Sequence, residues 1–317
     1  PSSFFSPTTI DHLVTTDTGS DSADRFLFQT TVFAPFGFAT LTLAGPREPT
    51  LEVGRDSPWF PDAQFPRTIP WPLPPGQKTL RSITVADAEV SPTIENTSVG
   101  LEVGASLSYL NASLLGDYGH EPISAYSSKI TFPSNSNSSF DITLVPQIRK
   151  TFAAGLDLSV PIGPVLLWTD TAFFSAKTFA TSRLSLDTFE TEVEAVPALE
   201  TASGVSVEIP SVFLYLMVEY RDVFPLRTQD DLLRPYLSSI VAANARFTLF
   251  SYALTLDGFF AISTADGSGA AAMAIAVMPH EPLNLSLNAP FFFGGADSEL
   301  GQFSDYHPIR WSMELKL

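Results

Sequence analysis

The stretch Tyr306-His307-Pro308-Ile309-Arg310-Trp311-Ser312-Met313-Glu314-Leu315-Lys316-Leu317 alternates strictly from Arg310 onward. Trp311, Met313, Leu315 and Leu317 share one face, and Arg310, Ser312, Glu314 and Lys316 the other. Period-2 order of this kind defines a two-faced strand. A frayed terminus in water has no reason to keep it, whereas a closed barrel must pair its final strand with its first. The reading is therefore all-β: a single transmembrane antiparallel β-barrel in the bacterial outer membrane, spanning residues 1–317 as one domain.

Composition agrees. The 317 residues are 44% hydrophobic and 16% charged, low in charge for a soluble protein. No apolar run approaches the ~18 to 20 residues that a membrane helix needs. Barrels reconcile these facts, because each lipid-facing residue is followed by one facing the lumen. Phe and Pro each occur 26 times, which argues for strands broken by turns rather than long helices.

Cysteine is absent, so no disulfide, thiolate chemistry or Cys-based metal site is expected. The opening P-S-S-F-F-S-P has no charged leader before an apolar core, so any signal peptide is expected to have been removed or omitted. A net charge of −17 disfavours nucleic acid and anionic partners. It fits either a solvated acidic loop surface or a pore that favours cations.

Short turns alternate with long loops along the chain. Tight connections fall at Pro35-Phe36-Gly37, Pro161-Ile162-Gly163, Pro210-Ser211 and Pro279 to Pro282. Polar stretches lie between the hairpins, at Gly116 to Ser139, Ser175 to Glu194, Asp222 to Pro235, Ser263 to Gly269 and Phe292 to Asp305. Outer-membrane barrels show this asymmetry, with short periplasmic turns and long extracellular loops. About 14 strands are expected at ~10 residues each, or 16 if Ala125 to Phe132 and Asp141 to Arg149 add a pair.

Strand parity assigns the faces. Leu283, Leu285, Leu287, Ala289 and Phe291 oppose Asn284, Ser286 and Asn288; Leu254, Leu256, Phe260 and Ile262 oppose Thr255 and Asp257; Phe152, Leu156, Leu158 and Val160 oppose Asp157 and Ser159. The apolar sets are expected to meet lipid. The lumen set is then Glu102, Asp157, Asp170, Glu208, Glu219, Arg221, Asn244, Arg246, Asp257, Arg310 and Glu314.

Two segments carry a family resemblance. Gly294-Gly295-Ala296-Asp297-Ser298-Glu299-Leu300-Gly301-Gln302-Phe303, followed by the alternating terminal strand, resembles the G-x-x-D-x-x-x-G-Q-F ending of porin-like outer-membrane proteins related to the alginate-export barrels. Gly155-Leu156-Asp157-Leu158-Ser159-Val160-Pro161-Ile162-Gly163 resembles that family's G-x-D-F-S-x-P-x-G hairpin. Leu317 stands where the family usually has Phe. The resemblance implies a single-chain barrel inserted by the outer-membrane barrel assembly machinery, with the terminal strand as its signal.

One segment breaks the strand pattern. From Pro58 to Pro75, within 46–80, the chain is dense in proline and carries Trp59, Phe60, Phe65 and Trp71. Proline cannot donate ladder hydrogen bonds, so a stiff irregular loop is expected. Its aromatics call for a surface to fold against, either as a constriction in the lumen, as an external cap or as a partner-binding surface. As a constriction it would place Arg55, Asp56, Asp62 and Arg67 where charge sets selectivity.

Catalytic signatures are thin. His12, His120, His280 and His307 sit in or beside expected turns, and none has a second ligand at metal spacing. No nucleophile elbow or phosphate-binding glycine loop appears. The expectation is a non-enzyme without cofactor or metal: a porin passing small solutes by passive or weakly selective diffusion, with outer-membrane lipid as its surroundings and homo-oligomers possible. Two alternatives stay open. One is a structural or adhesive barrel plugged by inward Trp168, Phe174, Phe213, Tyr215 and Met217. The other is a secreted soluble β-protein.

Overall fold

The computed structural model describes residues 27–44, 68–72, 75–86, 93–120, 126–132, 139–147, 149–181, 191–227, 232, 238–250, 253–280, 283–296, 298–305 and 309–315. Its strands are β1 Leu27–Ala34, β2 Gly37–Ala44, β3 Thr68–Pro72, β4 Pro75–Val85, β5 Ser98–Leu107, β6 Leu110–His120, β7 Tyr126–Thr131, β8 Ser139–Pro146, β9 Lys150–Ile162, β10 Val165–Ala180, β11 Val193–Ile209, β12 Leu214–Pro225, β13 Ile240–Leu249, β14 Leu254–Ser263, β15 Gly269–His280, β16 Leu283–Phe293 and β17 Arg310–Leu315.

Thirteen of them form one antiparallel sheet in the order β1-β2-β5-β6-β9-β10-β11-β12-β13-β14-β15-β16-β17. Every neighbour follows its partner in sequence once the small-sheet strands are set aside, the meander order of an up-and-down barrel. Connections at one end span only 35–36, 108–109, 163–164, 210–213, 250–253 and 281–282; those at the other include 45–97, 121–149 and 294–309. The expected asymmetry is thus present. The strands run further toward the long-loop end than expected: β6 reaches His120, β10 reaches Ala180 and β12 reaches Pro225. With 13 strands, β1 and β17 run in the same direction, and no ladder joins them among the described residues.

Pairing fixes the faces, because directly opposed residues point the same way. Val103, Leu114 and Leu156 fall in one cross-strand row, and Gly104, Ser113 and Asp157 in the row behind it. The apolar rows are open: Leu114 is 62% exposed, Trp311 75% and Met273 61%. The polar rows are enclosed, with Glu219 at 1% and Asp170 at 2%. This is the reverse of the pattern in a water-soluble protein. Enclosure of the polar face and openness of the apolar one make the polar face concave.

The remaining four strands form a separate mixed sheet, β3-β4-β8-β7, in which β4 and β8 run parallel. Both of its chain segments leave the large sheet at the long-loop end. The pair expected near Ala125–Phe132 and Asp141–Arg149 therefore exists as β7 and β8, but it joins β4 rather than the barrel sheet, so the 16-strand count does not hold. Part of the proline-rich loop is also strand. β3 carries Pro70 and Pro72 and lies at the sheet edge, where its only neighbour among the described residues is β4, so the missing N–H groups need not break a second ladder. Phe140 and Ile142, both fully buried, centre a core with Ile83, Ile130 and Leu144. The sheet is tied to the large one where the Ser128 N–H donates to Thr191 Oγ1 at 2.7 Å and the Thr191 N–H donates to the Ser128 carbonyl at 2.8 Å.

Candidate functional site

The concave face carries the chemistry. Glu102, Asp157, Asp170, Glu208, Glu219, Arg221, Asn244, Arg246, Asp257, Arg310 and Glu314 all occupy positions on this one face by register. Arg55, Asp56, Asp62 and Arg67 lie outside the described residues. Trp168, Tyr215, Met217 and Phe174 also fall on the concave face. Phe213 does not: it occupies the short turn after β11, half exposed, with a left-handed φ of 52° that takes it out of strand parity.

Two ionic groups stand out. Toward the short turns, Arg246 Nε donates to Asp257 Oδ1 at 2.7 Å across directly opposed positions, and the Arg246 side chain is 58% exposed. Toward the loops, Glu200 on β11 is buried between two cations. Lys177 Nζ on β10 donates to Glu200 Oε2 at 3.2 Å, and Arg221 on β12 donates to Glu200 Oε1. Lys177 Nζ also lies 4.7 Å from the centroid of the Phe174 ring, a cation–π contact.

Strict alternation would have placed Lys177 on the lipid side, since Phe173 is on that face. A proline on the neighbouring strand explains the reversal. Phe174 pairs with Ala198 and Lys177 with Val196, so Ser175 and Ala176 together face the single residue Pro197. Pro197 has no N–H for the ladder, and β10 bulges opposite it. Hydroxyl groups fill the gap: the Phe152 N–H donates to Ser175 Oγ at 2.9 Å, and the Ala176 N–H to Thr151 Oγ1 at 3.2 Å. The extra residue inverts parity beyond it and turns Lys177 and Phe179 inward. Lys177 was therefore missed by sequence reading, and Glu200, which shares the regular parity of Glu208 on β11, was left out of the lumen set. Pro197 inside an otherwise regular strand was the signal that could have found Lys177, and alternation back from Glu208 the one for Glu200.

The concave face closes toward the loop end. Ala198 and Ala202 are fully buried, while Glu208 near the short turns is exposed. Leu232, from the β12–β13 connection, packs on the inward cluster of Phe179, Val196, Ala198 and Val223. Phe303, from the β16–β17 connection, meets inward Phe292 edge-on with ring centroids 5.7 Å apart. Leu232 and the segment around Phe303 thus pack onto the polar face.

The second of these is fastened. Asp266, in the β14–β15 turn, accepts from the Glu299 N–H at 2.6 Å, from Ser268 Oγ at 2.7 Å and from the Ser268 N–H at 2.9 Å. Ser263 Oγ donates to Glu299 Oε2 at 2.6 Å, and the Leu300 N–H to Ser268 Oγ at 2.9 Å. Burial pushes the Asp266 carboxyl up, but the hydrogen bonds from Glu299, Ser268 and Ser263 outweigh it and hold the group below the usual carboxylate range. In the small sheet the Arg81 guanidinium, 2.5 Å from Asp141, likewise holds that carboxyl low.

No family model matches the chain, and no curated protein matches it. Among solved structures, one described as "asymmetric conductivity of engineered proteins" aligns at 12% identity and a TM-score of 0.38, covering 81% of this chain and 71% of that one. A mutant of the Rh. blastica porin aligns at 10% identity and a TM-score of 0.36, covering 84% of each chain. Outer membrane phospholipase A from Escherichia coli aligns at 12% identity and a TM-score of 0.28, covering 68% of this chain and 76% of that one. At these values the reading of this chain rests on its own geometry.

Proposed function

We propose that the protein is an outer-membrane β-barrel channel, non-enzymatic, passing small solutes along its charged concave face by passive or weakly selective diffusion. One observation carries this reading: a meander sheet whose exposed face is apolar and whose enclosed face is charged. Water on the outside would make that arrangement costly, whereas lipid outside and water or packed polar groups inside make it stable. Exposed aromatics at the short turns support it. Phe36, Tyr109, Phe213 and Phe250 are each at least half exposed and occupy four of those turns, the position of an interfacial aromatic girdle. A kinship with alginate-export barrels is part of this proposal and is supported by the resemblance of the two sequence segments already quoted.

A net charge of −17 and the carboxylates Asp157, Asp170 and Glu219 on the concave face favour cations over anions. A second reading, a barrel closed at rest, draws support from the burial of Ala198, Ala202 and Glu219 and from the inward packing of Leu232 and Phe303. Planar-bilayer recording across a salt gradient separates the two. Steady cation-selective steps are expected of the channel. Stable insertion without conductance favours the closed barrel, and failure to insert rejects both.

A further inference from the structure

We infer that Lys177 is a selectivity-setting residue of this channel, a fixed positive charge that the Pro197 bulge delivers to the concave face to restrain its preference for cations. The inference rests on the channel reading and adds to it a residue whose face alternation alone would misassign.

The geometry joins Lys177 to the Glu200 carboxylate and, through it, to Arg221. Glu200 lies one row beyond Ala202, which itself opposes both Asp170 on β10 and Arg221 on β12. The carboxylates at Glu200, Asp170 and Glu219 therefore occupy three successive inward rows of the barrel wall. Arg221 and Lys177 share Glu200, one on each oxygen. Counted as a unit, Lys177, Glu200 and Arg221 carry one net positive charge, and loss of Lys177 makes the same unit neutral.

Burial makes that charge count. The Lys177 and Glu200 side chains are 13% and 7% exposed, so salt screens them less than it would a surface pair. Fixed charge behind a low-dielectric wall projects into the enclosed space instead of spreading into bulk water. Arg221, 23% exposed, is the edge of the unit that the lumen meets. The bulge itself costs regular ladder bonds, which Thr151 and Ser175 replace through their side chains. An outward Lys177 would instead have put an ammonium in lipid.

The test is a charge ladder read as reversal potential in planar bilayers with the full chain: K177M, E200Q and K177M/E200Q beside wild type and K177R. One unit charge acting at ~8 Å in the dielectric of water changes local ion concentration about twofold, in opposite senses for cations and anions, so the cation-to-anion permeability ratio of K177M is expected to rise ~5-fold. E200Q should move the ratio the other way, the double variant should return near wild type, and K177R should not move it. The double variant leaves no buried charge unpaired by the lysine's loss, so it reports even if K177M inserts poorly. A flat or disordered ladder on conducting channels overturns the inference while leaving the channel reading intact. A wild type that inserts and passes no current removes both.

Discussion

Replacing Asp266 with alanine should release the loop around Leu300 from the concave face. The carboxylate accepts three hydrogen bonds, two from Ser268 and one from the Glu299 N–H, and it indirectly sets the Ser268 hydroxyl that receives the Leu300 N–H. Hydrogen bonds to charged groups contribute ~1.5 to 3 kcal/mol each when buried. Asp266 itself is exposed, so solvent competes and the sum is discounted to about 2 kcal/mol. That corresponds to a loop-opening equilibrium raised ~30-fold. Hydrogen exchange on the detergent-folded protein reads it directly, as faster exchange at the amides of Glu299, Leu300 and Gly301 with the central strands unchanged. Acid should do the same to wild type. The native Asp266 value lies below its unfolded one, so the latch is complete above the unfolded value of ~3.9 and is lost as pH falls through the native value. Unchanged protection at Glu299 and Leu300 in D266A would refute the latch.

Three further outcomes follow from the same geometry. L114R places a cation on an exposed apolar row of β6 and should cost ~2 to 4 kcal/mol in vesicle-folding titrations, since the site meets lipid; a cost within the ~0.5 kcal/mol usual for water-facing substitutions would mean that lipid is not there. Phe140 is fully buried in the small sheet, so F140A should destabilise that sheet by ~3 to 5 kcal/mol and expose β7 and β8 to protease, while unfolding of the large sheet by SDS should match wild type. A Cβ on Gly301 would clash with the Gly295 carbonyl oxygen and lie 2.5 Å from Gly294 C, both backbone, whereas one on Gly295 meets nothing within 4 Å. G301A should therefore loosen the loop to proteolysis by ~1 to 3 kcal/mol and G295A should not; equal behaviour would contradict the packing.

Several structural features explain where sequence reading succeeded and where it stopped. Alternation is a local property, so Leu283–Phe291 and Phe152–Val160 could be divided between faces from their residues, and the ladders place them accordingly. Turn chemistry is also local, which made Pro35-Phe36-Gly37 and Pro161-Ile162-Gly163 legible; Gly163 takes the left-handed φ of 59° that its turn requires. Which strands pair is not local. β7 and β8 carry the same period-2 signal as barrel strands, and only the parallel pairing of β8 with β4 assigns them to another sheet.

The sequence by itself determined the strand content, the short-turn and long-loop rhythm and the two-faced character of the wall, because period-2 patterning and proline-glycine turns act over a few residues. Tertiary structure alone decided the small sheet, the inward folding of Leu232 and Phe303, and the Lys177–Glu200–Arg221 cluster. The last case shows the physical reason most clearly. The side-chain face depends on counting residues in pairs, and a bulge opposite a proline on the neighbouring strand, about twenty positions along the chain, adds one to the count.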